Sequence, residues 1–92
     1  MYKPATLDLA TRTVLITRLK SIEGQARGIQ RMVDEGRQCQ EIMDQLAALR
    51  AATHAVSMRA FEAFALHCLN EPDEPLEKVV AQLTDTVAKL TH

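Results

Sequence analysis

The 92-residue chain has no Trp, one Tyr and two Phe, and this shortage of rings excludes several functions. Without aromatic side chains interleaved among basic ones there is no stacking platform for single-stranded nucleic acid. Strands enriched in aromatic residues are absent too, so a sheet is not expected. Two Cys are too few for the disulfide framework of a small secreted fold, and no signal-peptide pattern opens the chain, so a reducing cytoplasm is expected. No apolar run approaches the roughly 18 residues of a membrane span. There is no phosphate-binding loop, acid/base dyad or catalytic triad, which argues against an enzyme. Helix-turn-helix and zinc-finger spacings are missing as well.

What remains is rich in Ala, Leu, Val, Ile and Met: 47% of residues are hydrophobic. That profile suits helices, and in so short a chain the apolar surface favours oligomers. Residues 1–59 carry nine Lys/Arg against six Asp/Glu, whereas residues 60–92 carry two against six. The positive excess of the first part is compatible with a nucleic-acid face.

Pro4 marks Met1–Thr6 as a flexible tail, and three helices are predicted at about 7–35, 37–70 and 75–91, all within one domain spanning 1–92. In the first, Leu15, Leu19, Ile22, Ala26, Ile29 and Val33 share a stripe about 80° wide. Gly36 is placed to close it in a left-handed conformation. The second has neither Gly nor Pro across more than thirty residues, with Ile42, Leu46, Leu49, Val56, Ala60, Ala63 and Phe64 on a broad apolar side. Pro72 and Pro75 break the chain, with Asp73 or Glu74 as the next N-terminus and Pro75 in the first turn. Leu76, Val79, Val80, Leu83, Val87 and Leu90 would form the inner side of the third helix.

Two sets of residues carry candidate chemistry. Lys20, Arg27 and Arg31 fall within about 40° on the first helix, opposite its apolar stripe, with Arg12 and Arg18 flanking that stripe. They read either as a phosphate-contacting surface or as an ordinary solvated face, and Glu23 can pair with Arg27 at i,i+4. The second set is Cys39 and Cys68. Helical rise over the 29 positions between them is roughly 43 Å, far beyond the about 7 Å between Cα atoms that a disulfide allows. Their azimuths differ by only about 20°. An antiparallel second copy would therefore bring Cys39 of one chain to Cys68 of the other, twice per dimer. The electropositive first turn of a helix, with Arg37 nearby, suits a nucleophilic sulfur at Cys39. Phe64, one turn before Cys68, cannot ligate a metal, whereas a soft metal on two thiolates usually takes an imidazole as well. Two buried small hydrophobes remain the plain alternative.

The run Arg18-Leu19-Lys20-Ser21-Ile22-Glu23-Gly24-Gln25-Ala26-Arg27-Gly28-Ile29-Gln30-Arg31-Met32, followed by Gly36, Cys39 and Gln45-Leu46-Ala47-Ala48-Leu49-Arg50, resembles the CsoR/FrmR/RcnR family of bacterial repressors. The resemblance covers residues 12 to 90. It implies an all-α, three-helix protomer forming an antiparallel four-helix-bundle dimer, and a tetramer built from two dimers. It also implies binding of double-stranded operator DNA through Arg18, Lys20 and Arg50, to which the helix wheel adds Arg27 and Arg31. Copper-sensing members place a His where this chain has Phe64, nickel and cobalt sensors need further imidazoles, and formaldehyde sensors use an N-terminal proline amine. Two Cys without the His are similar to the CstR branch, which senses persulfides and polysulfides. That likeness implies no cofactor and a di- to tetrasulfide bridge between Cys39 and Cys68 of the partner chain. Copper(I) held by the same two thiolates is the alternative, and a helical adaptor that does not bind DNA is another.

Overall fold

The computed structural model describes residues 6–70 and 74–91. Met1–Ala5 of the expected tail, residues 71–73 of the expected break and Asp73 as a helix start lie outside the described residues. Three helices follow one another: α1 (Leu9–Asp34), α2 (Cys39–Asn70) and α3 (Leu76–Leu90). No strand occurs among the described residues. None of the helices is long and apolar enough to cross a membrane.

Local chemistry sets each boundary. Asp8 caps α1: its carboxylate accepts from the Thr11 amide at 3.3 Å, and its carbonyl accepts from the Arg12 amide at 2.9 Å. The helix therefore starts at Leu9 rather than near residue 7. At the other end Gly36 adopts φ +71°. The Arg37 amide donates to the Met32 carbonyl at 3.0 Å and the Gly36 amide to Val33 at 3.2 Å, which is the double bond of a Schellman cap. Gln38 then accepts from the Ile42 amide at 3.2 Å, and Cys39 is the first residue of α2. For α3, Pro75 is the cap itself (φ −54°, ψ 144°), with its carbonyl accepting from Lys78 and Val79. This corrects its expected place in the first turn, because an extended ψ leaves it just outside the helix.

α1 runs antiparallel to α2. Leu7 and Asp8, where α1 begins, line one pocket with Ala63, Phe64 and His67, while Ile22 and Gln25 line another with Ala52 and Ala55. α3 turns back along α2 so that Leu90 and Thr91 reach Arg50 and Ser57. Packing contacts join α2 to each of the other two helices. The result is an elongated body of 54 × 26 × 16 Å.

Such a body buries little. Among the described residues only Leu15 (6% exposed), Ile29 (7%) and Val79 (4%) are fully buried apolar side chains. Ile22, Ala26, Ile42, Leu49, Val56, Ala60, Ala63 and Phe64 are half-buried as expected. Leu19, Val33 and Leu46, expected inside, are exposed. So are Leu76, Val80 and Val87, while Thr86 takes an inner place on α3 beside Val79, Leu83 and Leu90. α1 and α3 each have a single neighbour, α2, which covers a narrow stripe. Even the two neighbours of α2 leave part of its apolar width for another surface.

Two outcomes test this local reading. At Gly36 a Cβ would meet nothing within 4 Å, so only the backbone conformation resists a side chain. Gly36→Ala should lower stability by about 1 kcal/mol in denaturant titration, since the left-handed region costs an L-residue about 1–2 kcal/mol. Hydrogen bonds from Thr11, side chain first and backbone amide second, hold the Asp8 carboxyl below its ordinary range. A carboxyl depressed by folding stabilises above its unfolded pKa and loses that contribution as pH falls through the folded value. Protection of the Thr11 and Arg12 amides against exchange, corrected for the intrinsic rate at each pH, should therefore fall selectively on acidification, and Asp8→Ala should remove that pH dependence.

Candidate functional site

Cys39 is exposed and Cys68 half-buried, and both are free thiols. They stand at the first residue and in the last turn of one uninterrupted helix. The axial separation expected from the sequence thus holds in the protomer, and no bond within one chain joins them. Between them, on the same side of α2, a groove opens whose walls include Met43, Leu46, Arg50, His54 and Ser57, with Leu90 and Thr91 of α3 at its edge.

Charge around Cys39 differs from expectation. The Arg37 Nε donates to Glu41 at 2.9 Å, and another nitrogen of the guanidinium lies 4.0 Å from Glu35. The i,i+4 geometry across the helix start favours this pairing. Two carboxylates therefore offset Arg37, which leaves the unpaired amides of the first turn as the remaining positive groups beside Cys39. At the far end Phe64 lines a small pocket with Thr6, Leu7, Asp8, Ala63 and His67. The position one turn before Cys68 thus carries a ring that lines this pocket opposite the start of α1. Among the described residues no group of three His, Cys, Asp or Glu side chains lies within reach of one ion in a single chain.

The basic residues divide over three places. Lys20, Arg27 and Arg31 lie on the outer side of α1 and are exposed. Arg27 donates to Glu23 at 3.3 Å, whereas Lys20 and Arg31 have no ion-pair partner among the described residues. Arg18 faces a groove between α1 and α2 that it shares with Met58, Arg59, Phe61 and Glu62. Arg50 opens into the other groove, beside His54. One protomer therefore does not bring Arg18 and Arg50 together, so a common surface needs a second copy. Sequence reasoning missed Arg59, because 41 positions separate it from Arg18 and no local pattern links them. His54 follows Arg50 at i,i+4, a spacing visible in the sequence.

Residues 11–89 match the family model described as metal-sensitive transcriptional repressor. The copper-sensing transcriptional repressor CsoR of Bacillus subtilis is 38% identical over 79 residues, covering 84% of this chain and 78% of its own length. The copper-sensing transcriptional repressor RicR of Mycobacterium tuberculosis is 35% identical over 52 residues, 56% of this chain and 54% of its own. Among solved structures, the nickel-responsive transcriptional regulator InrS superposes with a TM-score of 0.74 at 27% identity, over 97% of this chain and 99% of its own. The three-helix fold and the match over nearly the whole chain place the protein outside enzymes, and it belongs to the CsoR family of metal-sensitive transcriptional repressors.

Proposed function

We propose that this repressor senses sulfane sulfur through Cys39 of one copy and Cys68 of another. The observation that carries the reading is α2 itself: an unbroken helix with a thiol at each end, both on one side. The exposed apolar residues Met43, Leu46 and Met58 leave α2 in need of a neighbour. An antiparallel second α2, giving a four-helix-bundle dimer, covers this surface and brings the thiols together in two symmetric pairs. Two dimers then form the tetramer. Phe64 supplies bulk and no ligand atom where a third donor would stand, which favours sulfur chemistry over a closed metal site.

The steps balance without an outside oxidant other than the sulfur donor. The Cys39 thiolate attacks the outer sulfur of a persulfide RSSH, forms Cys39–S–SH and releases the thiolate RS⁻. The thiolate of Cys68 from the second copy attacks the inner sulfur, closes the disulfide and expels hydrosulfide. A longer sulfur chain on Cys39 leaves one or two extra sulfurs in the bridge, with hydrosulfide again departing. Each bridge ties a helix start to a helix end and biases the assembly away from its DNA-bound shape.

Double-stranded DNA is held in this reading by Arg18, Lys20, Arg31 and Arg50, with Arg27 weaker because Glu23 already pairs with it. Copper(I) is the second reading, favoured by the copper-sensing relatives. Cys39 and Cys68 from two copies would hold it, and the ion would join the two thiolates as the sulfur bridge does. The donor set fits two-coordinate copper(I) and lacks an imidazole at residue 64.

Two experiments decide the matter. Reduced protein binds a duplex obtained by in vitro selection, and polysulfide should release it while mass spectrometry shows a Cys39–Cys68 cross-linked dimer. Extra masses of about 32 Da per retained sulfur atom would mark bridges longer than a disulfide. Cys39→Ala should bind DNA normally and ignore polysulfide. Release of that variant would end the sulfur proposal, and tight copper binding with loss of DNA affinity in a chelator competition would favour copper. Separately, Arg18→Ala and Lys20→Ala should each lower the slope of log affinity against log salt by about 1 per lost phosphate contact, and Arg27→Ala by less. Slopes unchanged from the wild type in all three variants would remove these residues from the DNA surface.

A further inference from the structure

The thiol side of α2 carries two more chemical groups at its midpoint. Arg50 shares the azimuth of Cys68 and lies about 20° from Cys39, and His54 follows one turn on. Both are exposed, and both line the groove that runs between the thiols. Among the described residues the groove wall holds no carboxylate: beside Arg50 and His54 it offers Thr53 and Ser57, with Leu90 and Thr91 facing from α3. The Thr53 hydroxyl already donates to the Leu49 carbonyl at 2.9 Å. Neither Arg50 nor His54 has a hydrogen-bond or ion-pair partner among the described residues.

The antiparallel pairing under Proposed function, on which this inference rests, has a consequence for these residues. If Cys39 meets Cys68 of the copy, the two-fold axis crosses α2 between residues 53 and 54. The two His54 side chains then flank the axis, and each Arg50 stands about 5 Å along the helix from it. Two guanidiniums and two imidazoles are thus gathered within little more than two helical turns, with no acidic residue among the described residues of either groove wall. Such a cluster is self-repelling once the imidazoles are protonated, unless an anion neutralises it.

We propose that Arg50 and His54 of both copies form a phosphate seat on the two-fold axis of the dimer, occupied by a backbone phosphate of the bound duplex. The arginines supply fixed charge and forked donors, as is usual for phosphate. The histidines make the grip depend on proton concentration, because imidazole is the side chain that changes charge between about pH 5 and 8. The seat lies midway between the two thiol pairs on the same seam. A sulfur bridge at either end alters the spacing of the two α2 helices where the phosphate sits, which links effector chemistry to DNA release.

Anisotropy titration of the reduced protein with the selected duplex, at about pH 6 and about pH 8, tests the seat. The wild type should bind about tenfold more tightly at the lower pH, the equivalent of about 1.4 kcal/mol. His54→Gln should lose that gain without loss of dimer, and His54→Lys should bind tightly at both. Arg50→Gln should weaken binding at both. A His54→Gln protein that tracks the wild type at both pH values overturns the duplex as occupant. A parallel arm compares inorganic phosphate with chloride at equal ionic strength on the DNA-free protein. A melting temperature raised by phosphate in the wild type but not in His54→Gln supports the seat and assigns it to free phosphate; no response in either arm overturns it altogether. Cross-linking keeps the two levels apart. If polysulfide yields no Cys39–Cys68 dimer, the antiparallel reading fails and the seat with it. If the dimer forms while His54→Gln behaves like the wild type in both arms, the seat alone fails.

Discussion

Backbone hydrogen bonds run through α2 from Cys39 to Asn70, and the stiffness of that ladder governs everything built on it. A helix keeps its rise and its twist, so the distance and the relative direction of two side chains on it are fixed by their positions in sequence. Here the distance is too long for sulfur to span and the direction is nearly the same. These two facts together make the thiols useless to each other within a chain and complementary between antiparallel chains. A kink anywhere in the middle would destroy the relation, and the absence of Gly and Pro across the segment removes the common causes of one.

The same helix explains why the protomer looks unfinished. It is apolar around much of its circumference, yet α1 and α3 cover only part of it. Leu46 and Met58 remain open, as do Leu76, Val80 and Val87 on α3. An exposed apolar stripe that continues along a thiol-bearing side is the expected surface of a subunit, since a chain this small stabilises little core alone. In the proposed dimer, assembly and sensing use one seam. Arg50 and His54 put a third function, the grip on phosphate, on that seam as well.

Belonging to the CsoR family accounts for a repressor on this fold, and individual residues then bear on the chemistry proposed for it. Phe64 is the clearest of these. Its ring cannot donate to a metal, and it lines a small pocket with Leu7 and Asp8 where α1 begins. Arg37 shows the opposite lesson. Its nearness to Cys39 in sequence suggested added positive charge, but Glu35 and Glu41 take up its guanidinium.

The sequence alone determined the helical class, the closing role of Gly36, the unbroken span of α2 and the shared azimuth of its cysteines. Each of these follows from local rules: propensity, capping and a fixed twist per residue. Tertiary structure alone decided which half of every apolar stripe is covered, that Leu19, Val33 and Val87 face outward, and that Arg18 shares a groove with Arg59 while Arg50 opens into another. Those outcomes depend on how one helix lies against its neighbour, through contacts between residues tens of positions apart. A periodic pattern shows how wide an apolar face is, but only the neighbouring helix decides which part of it is covered.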